Sequence, residues 1–388
     1  MNDLSVIEPL AVIQFAPSAW SNFRSHLPHQ SGDMKKRNWG HPWHSLCSYQ
    51  GKLKPAIAST LVDALLPSGG GRVLDPFSGV GTIPFEARLK GNTAFGFDIN
   101  PAAIAISRAK IEPVKIVDVQ AELDRLECWL NEDVVDQASC NVENIRFNGP
   151  LESYFHEKTF SEILKARVFF AERGFGRPES AFVLGCLLHV LHGNRPYALS
   201  RNSHPITPFA PTGEVVYKSL IEKLRGKVER ALKDMVLEPN AGCMYEQDAT
   251  AKWPDSVDNL DAIITSPPFF DSTRFYSANW MRLWFAGWNA EDFSRRPSEF
   301  VEVRQKLDFS VYDSIFTQAE DRLKSGGYFA LHLGKSSKCD MAELLASLGR
   351  KYLSFVDQFS ECVGHCESHG IRDKGTVTEH QYLLFRKV

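Results

Sequence analysis

The stretch Val73-Leu-Asp-Pro-Phe-Ser-Gly-Val-Gly-Thr82 decides the fold of this chain. It runs from a short apolar strand into a turn with two glycines, and the apolar pattern of a helix follows over Ile83–Lys90. Glycine lets the backbone approach a ligand closely, and the free N–H groups at a helix start can bind one. Gly79 and Gly81 therefore predict a strand–turn–helix unit with a ligand at its turn.

The residues after this turn continue the pattern of a doubly wound α/β sheet. A second short strand, Ala94–Phe97, ends in Asp98, about 20 residues downstream, where an acid that accepts ribose hydroxyls is expected. Pro84 stands where a dinucleotide-binding fingerprint has its third glycine. Asp75 adds a carboxylate that suits a cationic ligand better than a pyrophosphate. A tight turn without a ligand is the alternative that these residues leave open.

A second signature follows a helical interruption. Between about 113 and 239 the sequence has helical patterns, and we predict a mostly helical insertion there. The strand pattern then resumes at Leu260–Ile264, which runs into Thr265-Ser-Pro-Pro-Phe-Phe270. Two consecutive prolines fix φ and remove two N–H groups, so this turn is rigid and lies at the ligand-binding edge of the sheet. Taken alone, it could also be a rigid loop without a function.

The amino-acid composition limits the classes of protein to which this chain can belong. The 388 residues include 43% hydrophobic and 23% charged side chains, which is typical of a soluble globular protein. No run approaches the ~20 apolar residues of a membrane-spanning helix, and the first residues do not resemble a secretory signal. Eight scattered cysteines favour the cytoplasm, and no metal is expected because Cys362, His365, Cys366 and His369 lack standard ligand spacing. The net charge of −3 means that any nucleic-acid-binding face must be local.

The two signatures together resemble the S-adenosylmethionine-dependent DNA amino-methyltransferases, which methylate N4 of cytosine or N6 of adenine. The resemblance covers roughly 41–112 and 240–388. The N-terminal extension over 1–40, which mixes aromatic, polar and basic residues, is expected to be irregular and anchored by its tryptophans. The resemblance implies a Rossmann-like, seven-stranded class I methyltransferase sheet of the α/β class. The insertion over 113–239 is then a candidate target-recognition region.

The resemblance also implies a set of cofactor-binding residues. They come from the segment before the first strand, the glycine turn, the end of the second strand and a segment near 248. The set is Tyr49, Asp75, Pro76, Phe77, Ser78, Gly79, Gly81, Thr82, Asp98, Ile99, Asp248 and Ala249.

The catalytic residues that the resemblance implies are Ser266, Pro267, Pro268 and Phe269. The Ser266 hydroxyl and the Pro267 carbonyl would accept hydrogen bonds from the exocyclic amine and aim its lone pair at the methyl group. Phe269 would stack on a base that is flipped out of the duplex. A leading Ser slightly favours N4-cytosine over N6-adenine, and the proton of the amine is expected to pass to water.

Double-stranded DNA is the partner that this resemblance implies, with a restriction or defence system as its setting. Polar and basic side chains that could contact phosphates or base edges lie in the insertion and after the second signature. The DNA-binding candidates are Arg195, Arg201, Asn202, His204 and Arg274.

Two rival functions remain open at this stage. An RNA base N-methyltransferase shares the chemistry, and a catalytically silent nucleic-acid-binding module would keep the fold alone. All of these interpretations require that the glycine turn and the Ser-Pro-Pro turn lie at the same edge of one sheet. His332, at the end of a predicted strand, is interpreted as a packed core residue.

Overall fold

A computed structural model describes residues 17–36, 39–132, 145–235, 242–270, 275–363 and 377–388. One seven-stranded sheet forms its centre. The strands are β1 (Arg72–Asp75), β2 (Thr93–Asp98), β3 (Cys243–Glu246), β4 (Leu260–Thr265), β5 (Leu323–Ser336), β6 (Ser354–Cys362) and β7 (Val377–Arg386).

The strands lie in the order β3-β2-β1-β4-β5-β7-β6. The first five are parallel, whereas β7 is antiparallel to both β5 and β6. This is the class I methyltransferase sheet, so the predicted fold is confirmed. Because β2, β1 and β4 are parallel neighbours, their carboxyl ends meet at one edge of the sheet.

Fourteen α-helices are found in the described ranges. They are α1 (Ser18–His26), α2 (Pro55–Leu65), α3 (Thr82–Leu89), α4 (Pro101–Ile111), α5 (Ile116–Asn131), α6 (Glu157–Arg173), α7 (Pro178–Val190), α8 (Leu220–Lys233), α9 (Phe275–Ala278), α10 (Trp280–Phe285), α11 (Asp292–Arg295), α12 (Val301–Arg304), α13 (Asp313–Arg322) and α14 (Met341–Gly349). In the same ranges no helix combines the length and the apolar character needed to cross a membrane.

The helical insertion carries α5 to α8, and it packs closely on the sheet domain. α7 is buried along almost its whole length and lies against α4. A Cβ added at Gly185 would stand 3.2 Å from the Ala109 Cβ atom, so the two backbones approach more closely than larger side chains would allow. Side chains of both helices belong to one apolar cluster.

The N-terminal extension differs from the irregular segment expected from its mixed composition. Residues 18–26 form α1, in which Trp20 and Phe23 lie three residues apart and are both buried. Residues three apart share a helix face, so the two rings pack together against β6 and β7. The expected anchoring by aromatic residues is seen at Trp20, but within a helix.

Candidate active site

The glycine turn and the Ser-Pro-Pro turn lie at the same edge of the sheet. β1 and β4 are parallel neighbours, with Val73 opposite Ala262 and Leu74 opposite Ile263. Beyond that register, the Thr265 hydroxyl donates a hydrogen bond to Asp75 Oδ1 at 2.6 Å, and both side chains are buried. The two signatures, separated by 190 positions in the chain, therefore form one site.

The turn after β1 has the backbone geometry that a ligand cradle needs. Gly79 has φ +51° and Gly81 has φ +70°, both in the left-handed region. The Gly79 N–H donates to Asp98 Oδ2 at 2.9 Å, and the Ser78 N–H donates to the Phe97 carbonyl at 2.9 Å. These bonds fix the turn against the end of β2 and leave open space where a Gly79 side chain would stand.

Two carboxyl groups flank this turn, Asp75 buried and Asp98 partly buried, and removal from water changes the acidity of both. Burial raises the pKa of Asp75 to about 7, although hydrogen bonds from Thr265 and from the Phe77 N–H lower it in part. Burial likewise raises the pKa of Asp98 to about 6, against hydrogen bonds from the N–H groups of Asn100 and Gly79. A cation beside either group favours its ionised form. The pair therefore suits a positively charged ligand that also carries ribose hydroxyls.

The segment before α2 contacts the start of α4 and the start of α9. Asn100 donates a side-chain hydrogen bond to the Tyr49 hydroxyl at 2.8 Å, and Tyr49 is buried. Asn100 also caps α4 through the N–H groups of residues 102 and 103. A Cβ at Gly51 would collide with the Phe275 ring at the start of α9. Residues 49–51 thus connect the start of α4 to the start of α9, which follows the Ser-Pro-Pro loop in the sequence.

Asp248 and Ala249 follow β3 beside this edge. The Gln247 N–H donates to the Asp98 carbonyl at 2.9 Å, which holds the segment against the end of β2. Asp248 accepts hydrogen bonds from Thr250 at 2.8 Å and pairs with Arg304 at 2.9 Å. Cofactor binding by Asp248 remains a prediction, and the structure adds Arg304 as the ionic partner of Asp248.

The Ser-Pro-Pro loop is held from three directions. Ser266 Oγ lies 3.0 Å from His332 Nδ1, and Gln305 donates its amide to the Pro268 carbonyl at 2.9 Å. Phe269 packs with its ring centre 5.5 Å from that of His332. It also lies directly on Gly334, where a Cβ would stand 2.5 Å from the Phe269 ring.

His332 and Gln305 are site residues that sequence reasoning missed. His332 is buried as expected of a core residue, yet its ring contacts the Ser-Pro-Pro loop. Its neighbour Leu331 is the register partner of Thr265 in the β4–β5 pair. The register of β4 and β5 would have predicted the contact between His332 and Ser266, because paired parallel strands place successive residues side by side. A local sequence motif does not reveal that register.

The candidate DNA-binding residues have different surroundings. Arg195, Asn202 and His204 are exposed on the loop between α7 and α8. Arg201 instead donates hydrogen bonds to the carbonyls of Gly213 and Ser153, so its guanidinium holds the loop together. Arg274, like the cysteine and histidine positions 365, 366 and 369, lies outside the described residues.

The same loop is hydrogen-bonded to α10. Arg282 of α10 is fully buried and donates to the carbonyl groups of Pro205 and Ile206, at 3.0 and 3.4 Å. α10 follows the Ser-Pro-Pro loop in the chain. The insertion loop is thereby fixed to a helix that follows the Ser-Pro-Pro loop in the sequence.

Comparison with known proteins agrees with this geometry. Residues 42–157 match the family model described as UPF0020, RMKL-like, methyltransferase domain. This range contains the glycine turn and both acids, Asp75 and Asp98. The match and the sheet support an S-adenosylmethionine-dependent methyltransferase. Its cofactor is S-adenosylmethionine, and Asp75, the open glycine turn and Asp98 suit the sulfonium and ribose of that molecule.

Solved structures share the methyltransferase fold at low sequence identity. TrmN from Thermus thermophilus is 13% identical with a TM-score of 0.35, over 89% of this chain and 52% of that chain. The TehB-like methyltransferase from Corynebacterium glutamicum is 11% identical with a TM-score of 0.33, over 85% and 87%. The rRNA methyltransferase aviRa from Streptomyces viridochromogenes is 11% identical with a TM-score of 0.33, over 88% of each chain. No curated protein matches the sequence.

Proposed function

We propose that this methyltransferase transfers a methyl group to the exocyclic amino group of a nucleic-acid base. The observation that carries the proposal is the placement of Ser266-Pro-Pro-Phe269 at the end of β4, joined to the glycine turn by the hydrogen bond between Thr265 and Asp75. A methyl acceptor on this loop would lie beside the cofactor edge. Bound S-adenosylmethionine supplies an electrophilic methyl group on a sulfonium.

In the proposed reaction, the loop orients a weak nucleophile. The Ser266 hydroxyl and the Pro267 carbonyl accept the two N–H bonds of the amine, which turns the nitrogen lone pair toward the methyl group. Phe269 supplies an aromatic face for the base, and stacking of this kind contributes about 1–3 kcal/mol per base. Holding the reacting groups in line can supply ~7–11 kcal/mol of the barrier reduction.

Asp75 contributes charge and geometry to the same reaction. Its carboxylate is the buried negative group nearest the turn that would hold the sulfonium side of the cofactor. Its bond to Thr265 fixes the first residue of the catalytic loop relative to that turn. We therefore assign Asp75 to cofactor binding and Thr265 to positioning of the loop.

Two polymers are candidates for the substrate. The motif resemblance supports double-stranded DNA, with N4-cytosine slightly ahead of N6-adenine and with the target base flipped out of the duplex. One of the compared proteins, aviRa, is an rRNA methyltransferase. Because that likeness bears on the fold alone, RNA enters as the alternative that the experiment has to include.

The experiment offers both polymers to one preparation of the protein. Purified protein receives S-adenosylmethionine with a labelled methyl group, together with unmodified duplex DNA, tRNA or rRNA in separate reactions. Transfer to one polymer identifies the substrate class. Cofactor binding without transfer to any of them would contradict the proposal and favour a silent binding module.

Two loop variants serve as controls. Ser266→Ala and Phe269→Ala should lose most of the transfer while calorimetry still shows S-adenosylmethionine binding, because neither side chain lies in the glycine turn. Full activity in both variants would contradict the assigned roles.

A further inference from the structure

His332 lies where it can control the Ser266 hydroxyl. β5 runs parallel to β4 with Leu331 opposite Thr265, so the next residues of the two strands, His332 and Ser266, are neighbours. The Ser266 Oγ atom is 3.0 Å from His332 Nδ1, within hydrogen-bond distance. The His332 side chain is 2% exposed, so this contact is shielded from water.

The ring of His332 is held in a single orientation by aromatic neighbours. Its centre lies 4.7 Å from the His380 ring, 5.2 Å from the Tyr382 ring and 5.5 Å from the Phe269 ring. Interiors packed in this way leave little room for the imidazole to rotate. Nδ1 is thus fixed toward the catalytic loop.

A charged network fixes these neighbours in turn. The Glu361 carboxylate of β6 lies 2.8 Å from His29 Nε2 and accepts a hydrogen bond from the Tyr382 hydroxyl at 2.6 Å. His380 Nδ1 lies 3.7 Å from the same carboxylate. The residues that pack behind His332 therefore come from β7, β6 and the N-terminal segment.

The surroundings keep His332 neutral. Burial lowers the pKa of His332 well below its ordinary value, His380 and His29 lower it further, and only Glu361 raises it. A neutral imidazole has one nitrogen with a proton and one with a lone pair. Nε2 has no hydrogen-bond partner among the described residues, so Ser266 is the one hydrogen-bonding contact of the ring.

We propose that His332 is a positioning residue for the methyl transfer: its Nδ1 accepts the hydroxyl proton of Ser266, so that the Ser266 lone pairs face the target amine. The inference rests on the proposed function of Ser266 as an acceptor for that amine. With a proton on Nδ1 instead, the ring would donate to Oγ, and the hydroxyl proton would turn toward the amine and oppose its N–H groups. The tautomer of His332 therefore decides whether Ser266 can act as an acceptor.

The first test reads the tautomer directly and does not depend on activity. In protein labelled with ¹⁵N at histidine, two-bond proton–nitrogen spectra separate protonated from unprotonated ring nitrogens. We expect an unprotonated Nδ1 and a protonated Nε2 for His332, and a shift of the Nδ1 signal in Ser266→Ala. The His332 signal is assigned by its loss in His332→Asn. A protonated Nδ1 in the wild-type protein would overturn the proposal.

The second test uses rescue by a conservative variant. His332→Phe keeps a ring but removes the acceptor, and we expect kcat to fall about tenfold or more at nearly unchanged KM for S-adenosylmethionine. His332→Asn can place its amide oxygen near the Nδ1 position and should recover most of that loss. Equal activity in the two variants would overturn the proposal, since a purely structural role would not favour Asn over Phe.

The two tests also separate this inference from the proposed function. If the wild-type protein methylates no nucleic acid, the proposed function fails, whereas the spectra still decide which nitrogen of His332 meets Ser266. Melting temperatures of both variants, measured alongside, show whether they remain folded under the assay conditions.

Discussion

Asp75 is the residue at which the two halves of the site meet. Its carboxylate accepts hydrogen bonds from the Thr265 hydroxyl at 2.6 Å and from the Phe77 N–H at 3.0 Å. It is 2% exposed and has no cationic partner within ion-pair distance among the described residues. A buried acid without a counter-charge is destabilising when ionised, and a cationic ligand beside it removes part of that cost.

This environment predicts a pH-dependent cofactor affinity. Because burial raises the pKa of Asp75 to about 7, much of the group is protonated at pH 6 and ionised at pH 8. The sulfonium favours the ionised form, so the dissociation constant for S-adenosylmethionine should fall about tenfold as the pH rises across this range. Isothermal titration calorimetry at several pH values measures it.

Asp75→Asn provides the matched control. The amide keeps the size of the side chain but cannot ionise, so the variant should bind the cofactor more weakly at pH 8 and lose most of the pH dependence. An unchanged pH profile in Asp75→Asn would assign the dependence to another group, such as Asp98.

At the scale of elements, β5 is the strand against which the Ser-Pro-Pro loop packs. In β5, His332 contacts Ser266 and Gly334 contacts Phe269. His332 and Gly334 are two residues apart and therefore lie on the same face of the strand. Absence of a side chain at Gly334 makes room for the Phe269 ring. The loop position is thus decided by a strand that lies more than 60 residues later in the chain.

Gly334→Ala should therefore displace Phe269 and reduce methyl transfer. The added Cβ would stand 2.5 Å from the Phe269 ring, which forces the ring or the strand to move. Since a displacement near 1 Å can cost about 100-fold in rate, we expect a loss of kcat approaching that size with cofactor binding retained.

The matched control is Gly176→Ala, in which the new Cβ would meet its nearest neighbour, Arg108, at 3.9 Å. That variant should keep its activity. Wild-type kcat in Gly334→Ala would show that the Phe269 position does not limit the reaction.

At the scale of the whole molecule, the N-terminal segment belongs to the residues that pack behind the site. His29 pairs with Glu361 at 2.8 Å, and Trp20 donates its ring N–H to Asp357 at 2.9 Å, so α1 and the turn after it are attached to β6. Burial raises the pKa of Glu361, but hydrogen bonds from His29 and Tyr382, together with the nearby His380 ring, outweigh it and hold that pKa well below its ordinary range.

Replacing Glu361 should weaken the whole fold. In Glu361→Ala, His29 and Tyr382 lose a buried acceptor, and removing one partner of such a pair typically costs 3–5 kcal/mol, so we expect a loss of about that size in the free energy of unfolding. Because the folded-state pKa is lowered, the contribution of Glu361 is complete above its ordinary pKa and falls at more acidic pH. Chemical denaturation at pH 7 and pH 4 measures both effects.

The control for this variant is Asp255→Ala, whose carboxylate pairs with Arg322 at 3.3 Å on the surface. Exposed pairs contribute little, so this change should leave the free energy of unfolding almost unaltered. Equal effects of the two substitutions would contradict a structural role for the Glu361 network.

Much of the sheet and the outline of the site could be predicted because both signatures are local. The glycine turn and the two prolines restrict their own backbones, so strand, turn and helix follow from adjacent residues. The contacts of His332 and Arg304 could not be predicted in the same way, since they depend on strand register and on segments that are distant in the sequence. Arg201 shows the same limit, because the composition of its loop does not reveal that its guanidinium binds loop carbonyls.

The identity of the methylated atom tests the central claim most directly. After reaction with labelled S-adenosylmethionine, the accepting nucleic acid is digested to nucleosides, and mass spectrometry locates the new methyl group. We predict a base methylated on its exocyclic nitrogen, with the product lost in Ser266→Ala. A methyl group on a ring carbon, on a ribose oxygen, or formed equally well without the Ser266 hydroxyl would contradict a site in which the Ser-Pro-Pro loop presents an amine to the cofactor.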